Sequence, residues 1–261
     1  MAGPRLELWR APTDNDSLAS QGGYETADPV LTHGVGDPTA PPSATRWRDR
    51  GLDRLTHRLV SVSRTDSGLE QRVRVAAANS GWGLEVTHRW TLTSDGLVLQ
   101  TDAVPFGAWD VTWPRIGVRF DLPASLADGD ATWFGTGPLE SYADSSHAAR
   151  VGRFTAPVRS LGGGVLAAAG DRAPTRPAFV VRRAVHRDDG GVAPCGGSPC
   201  RRGPRSRSTA PSTPYELPTS DHLYLYLDAA QHGLGSRACG LDVLPEHQLW
   251  PQAFSWSVLL A

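Results

Sequence analysis

Lysine is absent from the 261 residues, so all 26 basic side chains are arginine. Arginine codons are GC-rich and lysine codons AT-rich. The absence therefore points to a GC-rich source and carries no functional information. Cysteine is scarce. Cys195, Cys200 and Cys239 are an odd set of three, which makes no even disulfide framework and makes a cytoplasmic setting the default. An excess of one charge is missing too. With 26 basic and 27 acidic residues the formal net charge is −1, which excludes the electrostatic footprint of a nucleic-acid binder or of a protein drawn to an anionic membrane. No apolar run approaches the ~20 residues of a membrane span. The segment Ala2–Arg10 lacks the apolar core of a secretory signal. Long amphipathic helical patterns are missing as well, which argues against alternating βα units.

What is present is strand and turn. Leu59–Ser63 alternates and stops at the turn cluster Asp66-Ser67-Gly68. Gln71–Val75, Leu84–Leu92, Leu97–Thr101 and Ile116–Leu122 follow with the same period of two, and Ser94-Asp95-Gly96 joins two of them. His222–Leu227 and Phe254–Leu259 repeat the pattern at the end. Strands at this spacing, linked by Gly, Asp and Ser turns, predict an all-β fold, a large antiparallel β-sandwich over residues 1–261. Nine tryptophans suit such a core, since each indole buries a large area. Their faces also suit stacking on sugar rings. Residues 159–213 break the pattern. The stretch is rich in Arg, Gly, Pro, Ala and Ser without sustained alternation, and on composition it reads as a disordered linker.

Three segments carry the densest local information. The first is Leu8-Trp9-Arg10-Ala11-Pro12-Thr13-Asp14-Asn15-Asp16. Its acidic triplet suggests a calcium loop, but the Gly and the distal Glu of an EF-hand are missing, and bonding of Asx side chains to the local backbone explains it. The second runs from Trp113-Pro114-Arg115-Ile116-Gly117 through Trp133-Phe134-Gly135-Thr136-Gly137-Pro138-Leu139-Glu140-Ser141-Tyr142-Ala143-Asp144 to Arg150–Phe154. Gly135, Gly137 and Pro138 fit a tight loop with positive φ or close backbone approach; a phosphate cradle would need a following helix. Glu140 is the one tempting catalytic carboxylate. The third is His232-Gly233-Leu234-Gly235 through Val243-Leu244-Pro245. His57, His88 and His147 are scattered, without metal-ligand spacing.

In order and wording these segments resemble the carboxy-terminal region, the small chain, of glycoside hydrolase family 2 β-galactosidases, with Ser145 standing where an Arg is usual. The resemblance implies a supersandwich of the galactose-mutarotase type. It implies structural roles for Trp9, Arg10, Pro12, Asp14, Asn15, Asp16, Arg115, Gly117, Gly135, Gly137, Pro138, Glu140 and Tyr142. It also implies a retaining mechanism with two carboxyl groups roughly 5 Å apart, both on a TIM-barrel partner that also holds magnesium and sodium. No catalytic residue, metal ligand or cofactor is then expected in this chain. A barrel domain or large chain is the expected partner and a galactoside the substrate of the assembled enzyme. The loop after Gly233 and Gly235 is expected to reach the sugar site. Cys239 stands where many members stack a Trp on the sugar, so stacking there is expected to be weaker; a buried inert thiol is the equal alternative. The other reading is a stand-alone carbohydrate-binding or mutarotase-like sandwich, with Glu85 and His88 as its candidate pair.

The family's strand between Phe154 and Pro214 is missing. With suitable wobble bases, the codons for Ala167–Pro174 read one base later spell Arg-Pro-Gln-Glu-Thr-Gly-His-Arg, which fits the missing motif. Residues 159–213 are therefore expected to be out-of-frame translation, and Cys195 and Cys200 to carry no function.

Overall fold

The structure, a computed structural model, describes residues 2–18, 41–139, 141–161, 178–182, 222–237 and 242–261. It is an all-β sandwich. The smaller sheet has the order β1-β6-β10, built from Ala2–Glu7, Arg115–Pro123 and His222–Gln231. The larger has the order β2-β3-β4-β5-β11-β9-β7-β8. Its strands are Thr56–Thr65 (β2), Gly68–Ala76 (β3), Gly83–Thr93 (β4), Gly96–Phe106 (β5), Asp130–Gly137 (β7), Arg150–Pro157 (β8), Ala178–Arg182 (β9) and Phe254–Leu260 (β11). Two short helices are described, α1 (Asp14–Ser17) and α2 (Ser43–Asp49). No helix among the described residues is long and apolar enough to cross a membrane.

Period-two alternation becomes the core directly. Thr65 pairs with Gly68 across the two-residue turn Asp66-Ser67, and Thr93 with Gly96 across Ser94-Asp95. These registers align Val73, Val86, Ala103 and Phe254 in one row across β3, β4, β5 and β11. The next rows are Gln71, His88, Thr101, Trp256 and then Leu69, Trp90, Leu99, Val258. This face packs on the smaller sheet in two clusters. One joins Leu6 and Ile116 to Val73, Val75, Leu84 and Val86. The other joins Val118, Phe120, Leu122, Leu223 and Leu227 to Leu99, Trp133 and Val258. Full burial of such a side chain contributes roughly 1.5–3 kcal/mol. Eight tryptophans lie in or against these clusters, and the ninth, Trp250, is exposed. At the margin of the larger sheet Leu59, Val62 and Leu92 are exposed.

Two features depart from the reading by pattern. Gly135 and Gly137 lie in a strand, β7, and not in a tight loop. At Gly137 close approach is the reason for glycine: a Cβ there would sit 3.0 Å from the Phe154 ring. The sheets are also not wholly antiparallel, because β9 runs parallel to β11 through Ala178 and Phe179. β9 lies inside the compositionally odd stretch and bridges β11 to β7.

Candidate functional site

Residues from all three signature segments converge at one end of the smaller sheet. The first arrives as the turn into α1. Thr13 caps that helix, and Asp16 reaches back to form a capping box. Arg10 donates twice to the Asp16 carboxylate, once at 3.1 Å and once through a shorter contact. Thr13 N–H donates to the same carboxylate at 2.7 Å and its hydroxyl at 2.9 Å. Both members of this ion pair are buried. The Arg10 guanidinium lies 5.3 Å from the Trp47 ring and 5.7 Å from the Tyr142 ring, which brings the second segment in. Burial pushes the Tyr142 phenol up, against the pull of Arg10 and Arg115.

The third segment completes the cluster. His232 is buried edge-on to Trp47 at 5.7 Å. Burial drives its imidazole down to about 4, so the ring is neutral near pH 7. Beyond it, Leu234 N–H donates to Asp144 Oδ1 at 2.8 Å, and Gly235 N–H donates to Asp144 Oδ2 at 2.7 Å. From the other side Asn15 Nδ2 donates to the Gly235 carbonyl at 2.7 Å. Arg237 is buried, pairs with Asp242 and donates to Ser43 Oγ at 2.9 Å. Residues 237 and 242 are thereby tied to each other and to the start of α2.

A second buried pair lies beside the first. Arg115 faces Asp228 at 3.5 Å and stacks 4.5 Å from the Tyr226 ring. Gln231 Nε2 donates to Asp228 Oδ2 at 2.6 Å. A Cβ on Gly117 would overlap Asp228 Oδ1, so glycine at 117 is what admits the carboxylate. Burial raises the Asp228 carboxyl and Arg115 opposes the shift. Asp228 Oδ1, Gln231 Oε1 and Arg115 Nε have no hydrogen-bond partner among the described residues.

The residues singled out by pattern therefore divide. Arg10, Asn15, Asp16, Tyr142, Gly233 and Gly235 meet in the cluster, and Arg115 and Gly117 flank it. Trp9 packs on the core with the Arg48 guanidinium 5.5 Å from its ring. Asp14 is exposed and Pro12 half-buried; Pro138 follows β7, and its side chain is exposed. Gly135 pairs with Gly152 in the β7–β8 ladder. Glu140, Cys195, Cys200 and Cys239 lie outside the described residues. Pattern reading named no role for Trp47, Asp144, Asp228, His232, Arg237 or Asp242. The one usable signal was the pair of glycines at 233 and 235, which announces a backbone approached closely by something. Glu85 and His88 do not form a pair. Three residues apart on β4 they occupy opposite faces; Glu85 is exposed, whereas His88 is buried and bonded to Thr101 Oγ1 at 2.9 Å.

The arrangement is one of holding. Each described carboxylate of the cluster, Asp16, Asp144, Asp228 and Asp242, is engaged by an arginine, a glutamine amide or backbone N–H groups of this chain. Among the described residues no three His, Cys, Asp or Glu side chains are grouped to hold a metal ion.

Fold and cluster define a class: a two-sheet β-sandwich whose sequence signatures meet around a single loop. The family described as "Beta galactosidase small chain" matches residues 1–260. The chain belongs to that family. The β-galactosidase of Arthrobacter sp. (strain B7) is 44% identical over 260 residues, 97% of this chain and 25% of that protein. That of Kluyveromyces lactis is 24% identical over 294 residues, 99% of this chain and 24% of that protein. That of Vibrio vulnificus (strain CMCP6) is 32% identical over 158 residues, 59% of this chain and 14% of that protein. The chain thus spans about a quarter of the length of the relatives it matches from end to end.

Proposed function

We propose that the chain is the small-chain module of a retaining β-galactosidase: a scaffold that presents the loop beginning at Gly233 and Gly235 to a sugar pocket built mainly by a barrel-bearing partner. In this reading the acid/base and nucleophilic carboxyls, and the magnesium and sodium ions, belong to that partner. The substrate is a terminal β-D-galactoside and the setting the cytoplasm. The observation that carries the reading is the convergence of three signature segments on one loop by way of carboxylates already engaged within the chain. A retaining glycosidase needs two carboxyl groups free to act on the sugar, and carboxylates committed to arginines and backbone amides are not free. The small-chain family and the quarter-length overlap with named β-galactosidases support a larger partner.

A chromogenic β-galactoside tests this directly. The chain alone is expected to release no chromophore, and mixing or co-expressing it with a barrel-bearing large chain is expected to produce activity. Turnover by the isolated chain would overturn the proposal. We further propose that residues 159–213 are out-of-frame translation. Sequencing the gene decides it, because codons that fail to spell the missing strand in the next frame remove the idea.

A further inference from the structure

We infer that Asp144 is the positioning residue of the substrate-side loop, setting the conformation of residues 233–237. The inference rests on the proposed galactosidase role and extends it to a residue that acts through the loop backbone.

The geometry begins with Asp144's own turn. Ser145 N–H donates to the Tyr142 carbonyl at 3.0 Å, and the two residues form an isolated β-bridge. Tyr142 in turn lies against the Arg10 guanidinium. The turn that carries Asp144 is therefore tied to the buried Arg10–Asp16 pair. From it the carboxylate reaches the loop some 90 residues away in sequence and receives two consecutive backbone N–H groups, one on each oxygen. Charge-assisted bonds of this kind are shorter and stronger than neutral ones, and two on one carboxylate fix a peptide's orientation as well as its position.

The loop sequence answers to that carboxylate. A Cβ on Gly233 would sit 2.6 Å from Asp144 Oδ2, so residue 233 must be glycine for the contact to exist. Gly235 has φ +63°, a left-handed conformation that turns its N–H toward the same carboxylate and its carbonyl toward Asn15. The peptide groups of 234 and 235 are thus held by side chains from two remote segments. Arg237 then pairs with Asp242 and donates to Ser43 Oγ, which fixes the end of the same segment. Asp144 is the only member of this set whose two oxygens both act on the loop backbone among the described residues.

Asp144→Asn separates positioning from folding. The amide keeps the shape but has one acceptor where two are needed, and its NH2 faces a backbone N–H. In the full chain, the amides of Leu234 and Gly235 are expected to exchange with solvent at least ~10-fold faster, by NMR, while the Gly233 amide, bonded to the His247 carbonyl, serves as the internal reference. In the enzyme assembled with its large chain, KM for a chromogenic galactoside is expected to rise about 10-fold with kcat within about 3-fold, since a loop that binds ground and transition states alike moves KM alone. Asp144→Glu, which restores both acceptor oxygens, is expected to recover part of the KM. Unchanged exchange at 234 and 235 would overturn the inference, as would unchanged KM or a loss confined to kcat. An inactive wild-type assembly would instead count against the proposed function, and the exchange data would still decide the role of Asp144.

Discussion

Two buried ion pairs that lie near each other at the same end of the sandwich are built to different standards. The Arg10–Asp16 carboxylate receives four donors, two from the guanidinium and two from Thr13. The Arg115–Asp228 pair is held at 3.5 Å with one glutamine donor, and it leaves an oxygen, an amide oxygen and a guanidinium nitrogen without partners among the described residues. A desolvated charge is stable only when its attraction and hydrogen bonds offset the loss of water. The first pair meets that condition and locks the turn that carries Asn15. The second meets it partially, and its cost appears as the raised Asp228 carboxyl.

The contrast can be broken most severely at its stronger member. Asp16→Ala leaves the Arg10 guanidinium buried without its carboxylate and is expected to cost about 3–5 kcal/mol. The measurement is the urea midpoint and slope of the chain. A loss under 1 kcal/mol would remove the distinction between the pairs.

Acid should produce the next largest effect. His88 and His232 are held neutral in the fold, each driven down to about 4 by burial. The unfolded chain protonates its imidazoles below about 6.5, so it binds more protons than the native state between pH 6.5 and 4. Stability therefore falls as pH drops through that window, by up to roughly 3 kcal/mol for each imidazole. Glu7 and Asp228 work in the opposite sense. Burial raises both carboxyls, so the native state takes up their protons first and acid relieves their cost. Urea midpoints at pH 7 and pH 5 are expected to differ clearly, and His88→Leu is expected to shrink the difference. An unchanged slope in that variant would show that His88 is not the titrating group.

Asp228→Asn should do much less. Its oxygen can stay toward Arg115, and its NH2 can turn toward Gln231 Oε1, so the change is expected to stay within about 1 kcal/mol. A cost equal to that of Asp16→Ala, in the same denaturation series, would show the two pairs to be equivalent. Leu92→Thr sets the floor. Leu92 is 78% exposed at the end of β4, and its replacement is expected to move stability by less than about 0.5 kcal/mol.

Most strands were legible as alternation because each lies between core and solvent. β7 was not, for a physical reason. Its inward residues are Ala131, Trp133, Gly135 and Gly137, and the strand does alternate in burial. Two of the four inward positions are glycine, and at 137 the Phe154 and Trp133 rings fill the space a side chain would occupy. The pattern therefore read as a loop. His88 misled in another way. A histidine on an otherwise apolar strand face looks like a candidate for chemistry, yet its ring is satisfied by Thr101 on the neighbouring strand. Only the β4–β5 register makes that visible.

By itself the order of amino acids determined the all-β class, the turns that join its hairpins and the three segments that mark its family. Each of these depends on contacts between near neighbours or on composition along a strand. The assignment of partners was left to the tertiary structure. Asp16 to Arg10 is local, but Asp144 to the 234–235 peptide, Asn15 to Gly235 and Arg237 to Ser43 join residues some 90 to 220 positions apart. A carboxylate carries no mark of which N–H it will meet. That is settled only when the packed sheets bring the loops to one place and set beside each charge the groups able to replace its water.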